Sequence, residues 1–116
     1  MPEVICDTSP LQYLHQLGLL HILPALAGRV LIPPAVLHEI EEGKACGIDL
    51  PDVRALEWLT IRPPTGSSTL PLDHNLGPGE TEVLMLAWEI DDVVVVFDDG
   101  LARRVADQRR ILVIGT

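Results

Sequence analysis

The sequence predicts an α/β fold: a five-stranded parallel sheet inside a three-layer α/β/α sandwich. Three observations carry this. Strand-like and helix-like segments alternate along the chain, the pattern of repeated strand–helix–strand crossovers. The strand-like segments are near-continuous aliphatic runs such as Val93–Phe97, so both faces of each strand are expected to be covered. The 116 residues are 47% hydrophobic and 3% aromatic, enough for one aliphatic core and hence a single domain over residues 1–116.

The elements follow in order. Glu3–Cys6 reads as a short buried strand. Ser9 is expected to cap a helix that has Pro10 at its first position. Leu11, Leu14 and Leu17, then Leu20 and Leu23, keep a helical period that breaks near Gly18 and Pro24, so one broken helix or two short ones fill residues 10–27. Gly28 ends that segment. Arg29–Ile32 is a second strand, stopped by Pro33 and Pro34. Ala35–Glu42 has helical spacing through Val36, Leu37 and Ile40, with Gly43 as the expected C-cap. After a loop over residues 44–51, Asp52 is expected to cap a short helix, Asp52–Leu56. Trp58–Arg62 is a third strand.

Residues 63–78 are rich in Pro, Gly and Ser and form a loop, not a domain linker, because what precedes them lacks the strands of a complete sheet. Gly79–Glu89 is a helix, apolar on most faces and therefore buried. Val93–Phe97 is the fourth strand, Leu101–Gln108 a helix, and Ile111–Ile114 the fifth strand. Right-handed crossovers make this a doubly wound sheet, whose sites lie at the carboxyl ends of strands where the strand order reverses.

Several function classes are disfavoured at once. No apolar run reaches the roughly 18–20 residues of a membrane span. The opening MPEVICDTSP lacks the basic and long apolar regions of a signal peptide. Cys6 and Cys46 are too few for a disulfide framework and read as reduced thiols, so a cytoplasmic protein with no membrane association is expected. The net charge of −9, with Lys44 the one lysine, argues against long-range attraction to nucleic acid. Arg103, Arg104, Arg109 and Arg110 nevertheless form a local basic patch that could face a phosphate or simply solvent. The histidines His15, His21, His38 and His74 show no metal-ligand spacing. Gly77-Pro78-Gly79 does not follow a strand and lacks the Lys-Ser/Thr of a phosphate-binding loop.

The acids fall where sites are expected. The first strand ends on Asp7, and the fourth ends on Asp98 and Asp99. The helix after the second strand carries Glu39. The helix before the fourth begins with Glu80 and Glu82. If strands one and four are neighbours, these carboxylates converge at the switch point. Such a cluster needs cations or raised pKa values to persist. Oxygen-only ligands suit Mg²⁺ or Mn²⁺, which can activate a water and stabilise the leaving oxygen of a phosphodiester. That points to nuclease chemistry.

Each acid also has a plainer use. Asp7 could be a turn residue. Glu39 sits among Glu41 and Glu42, and composition favours a solvated face. Glu80 and Glu82 lie in a first turn, where acids suit the helix dipole, and are about 200° apart around the helix, so only one can enter a shared site. Asp98 and Asp99 point to opposite faces of the strand. One is expected to reach the cleft, and the other to cap the next helix or pair with Arg103. Asp98 is favoured for the metal because it ends the buried run, but both stay open. Thr8 and Ser9 could hydrogen-bond a ligand or a water, although Ser9 is adequately explained as a cap.

The stretches VICDTSPLQYLHQLGLL, RVLIPPAVLHEI, LGPGETEVLMLAWEI and VVVVFDDGLARRVA together resemble a PIN domain, most of all its VapC-like subgroup, over almost the whole chain and in the same order. The resemblance implies a metal-dependent ribonuclease fold with a quartet of acids. They fall on Asp7, Glu39, one of Glu80 and Glu82, and one of Asp98 and Asp99. Asp7, Asp98 or Asp99, and Glu80 or Glu82 are the expected metal ligands, with Thr8, Ser9 and Arg103 toward an RNA substrate. It also implies a small antitoxin protein as partner and a homodimer. The chain departs from the subgroup by stopping at Ile114-Gly115-Thr116, where relatives continue into a further helical segment. Loss of that segment would expose one flank of the sheet, which dimerisation could cover.

Two other classes share the alternation. A phosphoacceptor receiver domain would carry paired acids after strand one and a lysine after strand five. A haloacid-dehalogenase-type phosphatase would carry an acid at position 9, where Ser9 stands. Neither pattern is present. The remaining alternative is a PIN-like scaffold that binds nucleic acid or protein without cutting.

Overall fold

Ile5 and Val95 lie side by side at the centre of the sheet, and neither has exposed surface. The computed structural model describes residues 3–26, 29–65, 78–90, 93–97 and 112–115. Five strands run parallel: β1 (Glu3–Cys6), β2 (Val30–Ile32), β3 (Leu59–Ile61), β4 (Val93–Phe97) and β5 (Leu112–Gly115), in the order β3-β2-β1-β4-β5. Helices α1 (Thr8–Gln16), α2 (Ile22–Leu26), α3 (Pro34–Ala45) and α4 (Pro78–Glu89) flank the sheet. This is the expected class of fold. The helix expected over Leu101–Gln108 lies outside the described residues.

Burial explains the aliphatic runs. Val30, Leu31 and Ile32 of β2 and Val93–Val96 of β4 are all buried, as a sheet covered on both faces demands. Each fully buried Ile or Leu contributes about 1.5–3 kcal/mol relative to exposure, so the short central strands are held by packing more than by length. Leu11 of α1, Val36 and Ile40 of α3, and Val83 and Leu86 of α4 complete the core. Among the described residues no helix is long and apolar enough to cross a membrane.

The strand order reverses between β1 and β4. β1 leads outward through β2 to β3, while β4 leads the other way to β5. The register pairs Cys6 with Val96, and the Asp7 N–H donates to the Val96 carbonyl at 3.2 Å, carrying the β1–β4 pairing one residue past the strand. The end of β1 is therefore fixed at the switch point.

Three local expectations are corrected. The first helix begins at Thr8, not Pro10, and its cap is Asp7, not Ser9. Asp7 leaves β1 already extended (φ −84°, ψ 174°), the conformation a cap requires, so the helix starts at once and Pro10 falls within its first turn. Gly43 lies within α3, which continues to Ala45. A Cβ at Gly43 would come within 2.5 Å of Leu50 Cδ1, and the residue just past the helix that takes the left-handed conformation is Gly47, at φ +87°. Asp52 precedes a single 3₁₀ turn, Val53–Ala55, and makes no side-chain cap bond to it.

Candidate functional site

Asp7 is 5% exposed, and among the described residues it is the buried charged side chain. Burying a carboxylate is costly unless it is hydrogen-bonded or meets positive charge. Part of that demand is met locally: Asp7 Oδ1 accepts the Thr8 N–H at 2.8 Å, where the α1 dipole also favours a negative charge. Its neighbour Cys6 has no exposed surface, and burial, with the negative charge of Asp7 second, pushes its thiol up to about 12. Cys6 is thus a packing residue, not a nucleophile or a ligand.

Thr8 links the first acid to the second. Its hydroxyl donates to Glu39 Oε1 at 2.6 Å. The other carboxylate oxygen of Glu39, Oε2, accepts the Gly79 N–H at 3.2 Å. Glu39 is therefore turned inward and half-buried, unlike its neighbours. Glu41 meets Arg54 at 3.2 Å and Glu42 meets His38 at 3.0 Å, both on the surface. Composition alone favoured a solvated face for Glu39. The helical turn separates it from the other two, and Thr8 and Gly79 hold it against the end of β1.

Glu80 and Glu82 do diverge around α4. Glu82 Oε1 accepts the Ala35 N–H at 3.0 Å, in the first turn of α3, so it serves as a cap. Glu80 is half-buried in the first turn of α4. Ser9 is exposed and lines a shallow groove on α1 with Gln12, Tyr13 and Gln16. Asp98, Asp99 and Arg103 lie outside the described residues. Asp98 is the residue after Phe97, which ends β4.

Sequence reasoning missed Gly79. A Cβ there would lie 2.6 Å and 2.8 Å from the two oxygens of Glu39. The glycine makes room for the carboxylate. The available signal was a glycine following Pro78 at the start of a helix, a place where alanine would serve the backbone equally well.

Asp7, Glu39 and Glu80 offer only oxygen donors. They fit a hard divalent cation in kind, and each carboxylate oxygen that accepts one hydrogen bond keeps a further lone pair. Among the described residues no three His, Cys, Asp or Glu side chains gather closely enough to hold a metal ion by themselves. A complete set would have to include an acid beyond them.

One comparison with known proteins gives a match, and it concerns the family. The family model described as a PIN domain matches residues 3–116. Searches of curated proteins and of solved structures each give no match. PIN domains have a nuclease-type fold and typically use divalent metals. With the family match running from β1 through β5, this chain belongs to the PIN-domain family.

Proposed function

We propose that this chain is a Mg²⁺- or Mn²⁺-dependent endoribonuclease of the VapC-like kind, the toxin of a toxin–antitoxin pair. The observation that supports this best is the buried Asp7 at the β1–β4 switch point, joined through Thr8 to the inward-turned Glu39. Asp7 would hold the cation together with one of Asp98 and Asp99. Glu39 and Glu80 would complete the shell, directly or through water. A divalent cation there would supply charge neutralisation at the phosphodiester and lower the pKa of a water. The chain's own part is to hold the carboxylates apart and oriented before the substrate arrives, which removes reorganisation from the reaction.

The test is cleavage of single-stranded RNA with Mg²⁺ or Mn²⁺, with EDTA and Asp7→Asn as controls. Metal-dependent cleavage that Asp7→Asn abolishes supports the reading. Equal cleavage by the mutant points to a contaminant or another site. A small antitoxin protein and a homodimer are proposed on the subgroup likeness, and co-purification and light scattering check them.

The net charge of −9 and the single lysine favour a second reading, a PIN-like module that binds a partner without cutting. Metal response separates the two. Ligand binding raises the melting temperature of the native state, so no shift at millimolar Mn²⁺ would favour the binding module.

A further inference from the structure

Helices α3 and α4 cap each other. Each begins on a proline, Pro34 or Pro78, and each places a small residue next, Ala35 or Gly79. Pro33, which precedes α3, has no side chain able to cap it. The missing acceptor comes from the other helix in both cases: Glu82 of α4 takes the Ala35 N–H at 3.0 Å, and Glu39 of α3 takes the Gly79 N–H at 3.2 Å. Orphan N–H groups at two helix starts are thus satisfied reciprocally. Glu39 receives a second hold from the Thr8 hydroxyl at 2.6 Å.

We propose that Thr8, Gly79 and Glu82 are positioning residues that fix the Glu39 carboxylate, and that Thr8 and Glu82 are not themselves groups that contact substrate or metal. Two donors on two different oxygens set the plane of the carboxylate, because rotating its last bond breaks both bonds. The Thr8 proton is committed to Glu39, so it is not offered to a phosphate. Gly79 lets the carboxylate lie against its Cα, where a methyl group would stand 2.6 Å from Oε1. The atoms such a methyl displaces are the end of a flexible side chain, so Gly79→Ala moves the carboxylate while leaving the fold. Glu82 holds the start of α3, the helix that carries Glu39.

The kinetic part of this inference rests on the nuclease reading, and its geometric part does not. The geometric arm is amide hydrogen exchange by NMR on the metal-free protein. Glu39→Ala and Thr8→Val should speed exchange at Gly79, and Glu82→Ala should speed it at Ala35, each by about tenfold, the loss of one hydrogen bond. Unchanged Gly79 exchange in both Glu39→Ala and Thr8→Val would overturn the clamp.

In the kinetic arm, Thr8→Val and Gly79→Ala should lower kcat by about a hundredfold with KM for RNA unchanged, the cost of misplacing a group by about 1 Å. Thr8→Ser should restore most of the rate. A raised KM in Thr8→Val that Gly79→Ala does not share would overturn the positioning role in favour of substrate contact. If the wild-type protein cleaves no RNA, the nuclease reading fails and the exchange arm alone decides the clamp.

Discussion

Asp7→Asn and Asp7→Ala separate what Asp7 does for the fold from what it does for the chemistry. Two of the bonds that anchor the residue bear on these variants. Its backbone N–H reaches the Val96 carbonyl at 3.2 Å, which no side-chain change removes, and its Oδ1 takes the Thr8 N–H at 2.8 Å. Asparagine caps helices about as well as aspartate, and its amide oxygen can keep the second bond, so Asp7→Asn should stay within about 0.5 kcal/mol of wild type or rise above it. A rise is expected if relief of the buried charge dominates, since Asp7 is 5% exposed. Alanine keeps neither the cap nor the acceptor, for a loss of about 1–2 kcal/mol. In a domain of this size that is about 4–8 °C in Tm.

The assay is thermal unfolding in EDTA beside RNA cleavage with Mn²⁺. Both variants should lose cleavage, while only Asp7→Ala melts early. An asparagine variant that melts as early as the alanine variant would refute the capping argument. Wild-type cleavage by either would refute the role of Asp7 in the site.

Other expectations follow from the same structure. Glu39→Gln should reduce cleavage by about a hundredfold. Glu41→Gln and Glu42→Gln, on the surface beside Arg54 and His38, should leave the rate unchanged and Tm shifted by no more than about 0.5 kcal/mol in equivalent stability. Maleimide labelling followed by mass spectrometry should modify exposed Cys46 in the native protein and buried Cys6 only in denaturant. Because the Cys6 thiol is raised from 9.0 to about 12 on folding, its contribution to stability is whole below pH 9 and is lost as the pH climbs toward 12, which denaturant melts across that window would show. Ile5→Ala, at a side chain with no exposed surface, should cost about 2–5 kcal/mol in urea unfolding.

Strands were the easiest elements to read. A strand covered on both faces leaves an unbroken aliphatic run, and Val93–Phe97 has no other comfortable fate. Helix starts were harder, because Asp-Thr-Ser-Pro offers two capping residues, and only the conformation in which the chain leaves β1 chooses Asp7. Glu39 shows the limit most clearly. Three glutamates within four residues look alike by composition, and what singles out Glu39 is contact with Thr8 and Gly79, which are 31 and 40 residues away in the chain. The divergence of Glu80 and Glu82, by contrast, was legible from helical geometry alone, although which of them caps a helix was not. Phe97 ends β4 as the aliphatic run predicted, and Asp98 and Asp99, which follow it in the sequence, lie outside the described residues.

The most direct test of the central claim is a crystal structure of the protein soaked in Mn²⁺, with anomalous scattering used to locate the ion. A peak is expected at direct ligand distance from Asp7, at the switch between β1 and β4, with Glu39 facing it and its carboxylate still held by Thr8 and Gly79. A Mn²⁺ ion bound elsewhere, or none at Asp7, would contradict it.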